Sequence, residues 1–414
     1  MTEFKFIHAA DLHLGSPFRG LALKEPDVAR RFAEASRAAF SDLVSGAIDE
    51  AVDFMVIAGD VYDGDWRDNS IGLYFNRELG RLARAGIDVF LLRGNHDAES
   101  VVTRSVSLPQ SVRQFSTEAP ETFRIERLRV ALHGQGFAER AVTENLVIKY
   151  PDPVAGWFNI GVLHTGLTGR PPHDTYAPCS KGHLGARGYE YWALGHVHEF
   201  ELVGTEPYIV FPGNLQGRSI REQGAKGAVL VSVADNLVID LERLIVDQAR
   251  WVEVKLEARD LDSEGAVLRA AEEALQPLRA DADERLMAVR FAITGETPLH
   301  RQLVGRREQL ADEVQAAAHR VHGDIWLEKL EIRTRAPVRR QMPAAAAPAA
   351  DLAALLEDAA KGADLRDRAA EFLAEVKLRM PGTIPADEQA IEADLDVLIA
   401  EARDLLLLRT AGPA

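Results

Sequence analysis

Thiols are almost missing from this chain. A single cysteine, Cys179, among 414 residues excludes an internal disulfide and any zinc site built on paired thiolates, and it suits a reducing compartment. Long apolar runs are missing as well. No stretch approaches the roughly 20 residues of a membrane span, and the opening MTEFKFIHAADLH has no basic flank followed by an apolar core of the kind that directs secretion. A cytoplasmic location is the expectation. Positive charge is in deficit: 48 Lys and Arg against 64 Asp and Glu leave −16, which argues against a protein that coats nucleic acid over its whole surface. A local basic strip or a metal centre can still receive phosphates. No internal repeat is visible. What is present, 47% hydrophobic and 27% charged residues, is the composition of an ordinary soluble chain long enough for two or three domains.

Five short stretches organise residues 1–248: FKFIHAADLH, DFMVIAGD, DVFLLRGNHD, FNIGVLHTG and YWALGHVHE. Each is apolar or alternating and ends on ionisable residues, so each reads as a strand with polar side chains at its carboxyl end. Open α/β folds place ligands beyond such ends, and five of them converging would form one site. From 249 to 335, WVEVKLEA, LMAVRFAIT and IWLEKLEIRT alternate at period two with helical segments between them, a separate small β-α-β-α-β domain. Residues 336–350 are a Pro/Ala linker with too little apolar bulk to fold. Two helices are expected after it, 351–379 and 386–409, broken by PGTIP, since proline cannot continue a helix. In the second, Ile391, Leu395, Leu398, Ile399, Leu405 and Leu406 recur at helical spacing against an acidic face.

The chemistry lies in the strand ends. In order they read Asp11-x-His13, Gly59-Asp60, Gly94-Asn95-His96-Asp97, His164 and Gly195-His196-x-His198. Three adjacent polar side chains such as Asn95, His96 and Asp97 are costly to bury unless something binds them. These are oxygen and nitrogen donors without thiolate, a mixture suited to manganese, iron or zinc rather than calcium. There are enough of them for two ions about 3.5–4 Å apart that share one carboxylate. Asp60 is the natural bridge. A lone histidine at a strand end is ordinarily structural; the ordered set is what singles these out.

That set resembles the five signatures of the calcineurin-like metallophosphoesterase superfamily, and the resemblance covers residues 4 to about 230. The forms HAADLHLGSPF, AGDVYDGD, LRGNHD and ALGHVHE, with the second domain and helical tail, are most similar to its DNA repair exonuclease branch, the SbcD-like nuclease subunits and in particular the bacterial YhaO-type proteins. The resemblance implies an α/β fold, a four-layer metallophosphoesterase β-sandwich flanked by helices. It adds a capping, DNA-positioning domain over 249–335 and a C-terminal helical pair. It also implies two Mn²⁺ ions, other divalent ions being possible, and phosphodiester hydrolysis. Carried over residue by residue, Asp11, His13, Asp60 and His198 hold one ion, and Asp60, Asn95, His164 and His196 the other. His96 acts near the leaving group, and Asp97 supports the loop or the imidazole. Asp63 stands where some nuclease relatives have a histidine, and a turn or capping role suits it equally.

The expected function is therefore a DNA exonuclease or endonuclease subunit of a repair complex. The alternative is a small-molecule phosphodiesterase or phosphatase with the same dimetal site. The DNA substrate rests on resemblance alone. So does the expected partner, an SMC-like coiled-coil ATPase of YhaN or SbcC type docking on 351–409. A homodimer through helices beside the site is a further expectation, with 68–85 and 100–115 as candidate helices.

Overall fold

The structure, a computed structural model, describes residues 3–16, 26–63, 69–99, 108–168, 176–337, 355–356, 358–360 and 362–379, with isolated helical positions at 395, 399, 402–403 and 406. The linker from 338 to 350, PGTIP and most of the last helix lie outside the described residues.

Among the described residues, twelve strands form two six-stranded sheets. The chain lays down β1 (Glu3–Ala9), β2 (Phe54–Ala58), β3 (Asp88–Leu92) and β4 (Val112–Gln114) in the first. It then lays down β5 (Glu121–Ile125), β6 (Val130–Gly134), β7 (Phe158–His164), β8 (Tyr191–Gly195), β9 (Glu201–Thr205) and β10 (Tyr208–Phe211) in the second. Finally it returns to the first with β11 (Gly227–Ala234) and β12 (Leu237–Ile245). The orders are β12-β11-β1-β2-β3-β4 and β5-β6-β7-β8-β10-β9. Within them β1, β2, β3 and β4 run parallel, as do β6, β7, β8 and β10. Parallel strands share the direction in which their carboxyl ends point, so five motif-bearing ends lie on one rim.

The central strands are buried on both faces, which is why they read as near-continuous apolar runs. Phe6, Phe54, Val56 and Phe90 of the first sheet pack with Val130, Leu132, Ile160, Val162 and Tyr191 of the second. Phe6 and Phe54 stack at 5.0 Å, and each such ring adds roughly 1.5–3 kcal/mol on burial. The alternate residues Ile7, Met55, Ile57, Val89 and Leu91 face α1 (Pro26–Asp49) and α2 (Asn69–Arg84) through Phe40, Leu43, Val44, Phe75 and Leu79. Beyond the second sheet, Trp192, Leu194 and Ile209 meet Tyr150, Leu184 and Tyr189. The sequence expectation of two sheets flanked by helices is what the structure has.

Residues 1–253, 277–290 and 322–329 form one compact unit. The later segments join it because Trp251, Leu286, Ala288 and Trp326 pack against Val28, Phe32 and Ala35 of α1. The other unit holds 254–276, 291–321 and the described residues from 330 onward. There helices Glu264–Leu275 and Arg307–Val321 pack together, the first capped by Ser263 accepting from the Ala266 amide. Strands β13 (Ala249–Glu257), β14 (Leu286–Glu296) and β15 (Ile325–Arg335) pair in that order. No helix among the described residues is long and apolar enough to cross a membrane.

The expected helix over 100–115 is corrected in its described part. Val112–Gln114 is strand β4, drawn into the sheet by pairing with β3 from Val89↔Val112 to Leu91↔Gln114.

A buried polar tie at His8 helps join the sheets. His8 on β1 lies with Nδ1 3.0 Å from the Tyr191 hydroxyl and Nε2 3.1 Å from the Leu194 carbonyl of β8. A neutral imidazole satisfies both by donating from Nε2 and accepting at Nδ1. Burial lowers its pKa to about 3, below the roughly 6.5 of an unfolded chain. Stability from this group is complete above that higher value and is lost as pH falls towards the lower one, because only the unfolded chain binds the proton. In metal-free protein the melting temperature of the wild type should therefore fall more steeply from pH 7 to 4.5 than that of His8→Gln. Parallel profiles would show that His8 is not buried neutral.

Candidate metal centre

Past the strand ends the chain is pinned into unusual backbone. Asp11, His13, Asp60 and His196 all have positive φ, at 51°, 41°, 55° and 98°. Each such non-glycine residue costs of order 1–3 kcal/mol unless its surroundings enforce it. Here they do: the Asp11 amide donates to the Gly59 carbonyl at 2.9 Å, His13 to Asp60 at 3.0 Å and Leu14 to Val61 at 2.9 Å. The loops after β1 and β2 are thereby laced together. The His196 amide donates to the Asp11 carboxylate at 2.9 Å, which brings the loop after β8 onto the same point. Four of the seven expected ligands thus occupy strained backbone on one rim.

The side chains converge there. His164 Nε2 is 2.9 Å from Asn95 Oδ1 and 3.5 Å from Asp60 Oδ2. His196 Nδ1 is 3.3 Å from the same Asn95 oxygen. His198 Nε2 is 3.8 Å from Asp11, and His13 Nε2 is 3.9 Å from Asp60. Among the described residues, three groups have donor atoms mutually within 4.8 Å: Asp11, His13 and His198; His13, Asp60 and His96; Asp11, Asp60 and His164. All seven expected ligands are in one place.

The tautomers follow from what the outer nitrogens touch. His13 Nδ1 faces Asp63 at 3.2 Å, His198 Nδ1 faces Glu222 at 2.8 Å and His164 Nδ1 faces the Ala58 carbonyl at 2.9 Å. All three partners accept, so each Nδ1 carries its hydrogen; Nε2 of a neutral His13 or His198 is then left with a lone pair, while Nε2 of His164, facing the Asn95 and Asp60 oxygens, carries a proton that a cation would replace. Nε2 of His13 and Nε2 of His198 stand only 3.2 Å apart. Two lone pairs at that distance repel unless a cation lies beside both. Asp11 and Asp60 add negative charge in fully buried positions, which is expensive without a counter-charge.

The protonation equilibria express the same demand. Burial disfavours the His164 imidazolium, yet the Asp60 and Asp11 carboxylates outweigh it and raise its pKa to about 9. Burial and the Arg218 guanidinium lower His13 to about 4, against the pull of Asp63. Burial and Asp60 raise Asp97. The donor set, its convergent lone pairs and its uncompensated carboxylates fit divalent cations.

Asp97 supports the loop rather than an imidazole. Its carboxylate accepts from the Val61, Tyr62 and Gly94 amides at 3.0, 3.2 and 3.1 Å, so it ties the loop after β2 to the loop after β3. His96 sits on the rim with 32% of its side chain exposed. Its amide donates to Asp60 Oδ1 at 2.9 Å, and its Nδ1 lies 3.4 Å from Asp63. Asp63 is therefore more than a turn residue, because it holds His13 and adjoins His96. The strand-end motifs of the sequence do not point to Glu222 or Asn214. Asn214 Nδ2 donates to Glu222 at 2.9 Å and so steadies the acceptor of His198. Neither residue belongs to a strand-end motif, and no periodicity marks them.

Residues 4–200 match the calcineurin-like phosphoesterase family, and residues 251–335 match the family described as metallophosphoesterase YhaO, middle domain. The chain is 31% identical over 340 residues to the uncharacterized metallophosphoesterase YhaO of Bacillus subtilis (strain 168), covering 81% of this chain and 83% of that one. It is 25% identical over 287 residues to the DNA double-strand break repair protein Mre11 of Sulfurisphaera tokodaii, covering 65% of this chain and 70% of that protein. It is also 28% identical over 286 residues to the protein of the same name from Methanopyrus kandleri, covering 60% and 58%.

Gly94 tests the packing of the centre. A Cβ there would lie 2.2 Å from Asp60 Oδ1 and 2.8 Å from the Asp60 amide, so Gly94→Ala must push Asp60 aside, an overpacking of about 1–3 kcal/mol. Metal analysis of the variant should show loss of bound divalent ions with the fold retained by circular dichroism. Full metal content in Gly94→Ala would mean that Asp60 is not where the ions sit.

Proposed function

The chain belongs to the calcineurin-like metallophosphoesterase family and carries the YhaO middle domain, and on that premise we propose that it is a Mn²⁺-dependent nuclease subunit that hydrolyses DNA phosphodiester bonds. That it is a metal-dependent phosphoesterase follows from the family and the site. The observation that carries the site is the meeting of His13 Nε2 and His198 Nε2 at 3.2 Å beside the buried carboxylates of Asp11 and Asp60.

In this reading Asp11, His13, Asp60 and His198 hold one ion, and Asp60, Asn95, His164 and His196 the other. When bound, the ions supply Lewis acidity at the phosphoryl oxygen and generate the nucleophile from water. Asn95 adds an oxygen donor without adding negative charge to a site that must accept an anionic phosphate. His96, the half-exposed imidazole at the rim, gives a proton to the departing oxygen, a task for which an imidazole is suited near neutral pH. Asp63 orients that ring, and Asp97 keeps the two loops at a fixed spacing.

DNA as substrate is supported by the two relatives whose names tie them to double-strand break repair and by the domain at 251–335, which a small-molecule phosphatase does not require. Mn²⁺ is favoured by a nitrogen and oxygen donor set without thiolate. The test compares linear duplex DNA, single-stranded DNA and bis(p-nitrophenyl) phosphate with Mn²⁺ present and after chelation. Cleavage of DNA with Mn²⁺ is expected, and His96→Asn should lower turnover about 10²–10⁴-fold while leaving metal content unchanged. Hydrolysis of the small diester with no action on either DNA would support the alternative, a small-molecule phosphodiesterase. Metal loss in His96→Asn would make that residue a ligand.

The tail is proposed to dock on an SMC-like coiled-coil ATPase. Leu355 and Phe372 are 66% and 67% exposed at helical positions, and apolar side chains in that state call for a groove to fill. The linker and Leu398 lie outside the described residues. Removing residues 345–414 should leave hydrolysis of a small phosphodiester nearly unchanged and abolish co-purification with the ATPase. Unfolding or loss of metal on truncation would make the tail part of the core.

A further inference from the structure

The carboxylates that hold His13 and His198 are joined by one guanidinium. Arg218 places Nη2 2.7 Å from Glu222 Oε1 and Nε 3.2 and 3.3 Å from the two Glu222 oxygens, and its own amide donates to Oε2 at 2.8 Å. Its Nη1 lies 3.6 Å from Asp63 Oδ1. Asp63 in turn receives His13 Nδ1 and the Ser16 hydroxyl and adjoins His96. Glu222 Oε1 receives both His198 Nδ1 and Arg218 Nη2, which brings those two nitrogens to 3.2 Å. A chain of contacts thus runs from His13 through Asp63, Arg218 and Glu222 to His198.

We propose that Arg218 is the positioning residue for one half of the metal centre: it fixes the two carboxylates that orient His13 and His198, and through Asp63 it links the placement of His96 to the filling of that half. The proposal rests on the dimetal reading above. It follows from three features. Asp63 and Glu222 are mostly buried, at 23% and 12% side-chain exposure, and without a cation between them both would be free to swing into water or take up protons. Arginine's rigid fork engages Glu222 through two nitrogens and leaves a third for Asp63, which the point charge of lysine cannot do. The contacts are also one-sided. His164 is held by the Ala58 carbonyl, and His164 and His196 both meet Asn95, contacts in which Arg218 takes no part. Loss of Arg218 should therefore weaken one ion and spare the other.

The experiment uses the full chain, stripped with chelator and titrated with Mn²⁺ alone by calorimetry, with metal analysis after gel filtration. The wild type should bind two ions. Arg218→Gln should bind one with wild-type affinity and the second about 10–100-fold more weakly, the usual scale for removing a group that orients a ligand. Its turnover should recover as Mn²⁺ is raised, a response that general loss of structure would not give. Arg218→Lys should fall between, and it carries the test if Arg218→Gln does not fold. Wild-type affinity for both ions in either variant overturns the inference while leaving the dimetal reading intact. Equal weakening of both ions overturns it too. A wild-type chain that takes up no Mn²⁺ overturns both readings.

Discussion

Asp11 and Asp60 are carboxylates taken out of water at the carboxyl ends of β1 and β2, and their charge is the constraint to which the rest of the molecule responds. A buried carboxylate is tolerable only with a counter-charge or a dense set of donors. The structure supplies some donors: the His196 amide on Asp11 and the His96 amide on Asp60. It otherwise sets beside the pair His13 and His198, whose outer nitrogens are anchored on Asp63 and Glu222 and whose inner nitrogens turn towards the carboxylates. Strained backbone at Asp11, His13, Asp60 and His196 is sustained because the loops are bonded to one another beyond the sheets. The sheets are rigid because both faces of their central strands are packed. Positive charge placed at the rim stabilises all of this at once.

This accounts for the shape of the site as well as its position. Parallel strands alone bring several loops to one edge; two such sheets packed face to face bring loops from both. Asp11, Asp60 and Asn95 come from the first sheet, and His164, His196 and His198 from the second. Neither sheet carries a complete set. His8, bonded to Tyr191 and Leu194, ties the sheets to one another, so the distance between the two halves of the proposed ligand set is held by the core and by polar bonds within it.

How far this was legible from sequence depended on the kind of signal. The five strands and their polar ends were legible because buried parallel strands are apolar throughout and because Asp11, His13, Asp60, Asn95, His164, His196 and His198 sit within a few residues of strand ends. The order of elements in 249–335 was legible from period-two alternation. What was not legible depended on long-range contacts. Nothing local says that Glu222 meets His198 or that Arg218 reaches Asp63 from far along the chain. Asp63 was undervalued for the same reason, since a single carboxylate after a strand is consistent with a turn. The segment 112–114 became an edge strand through pairing with β3, which its own sequence does not announce. Trp251 and Trp326 joining α1 is likewise a tertiary contact without a local mark.

The account stands on two ions sharing Asp60. Anomalous diffraction from crystals of the full chain grown with Mn²⁺ tests it most directly. It should show two peaks about 3.5–4 Å apart, both in contact with Asp60, one beside His13 and His198 and the other beside Asn95, His164 and His196. A single peak, or two peaks with Asp60 bound to only one, would contradict it.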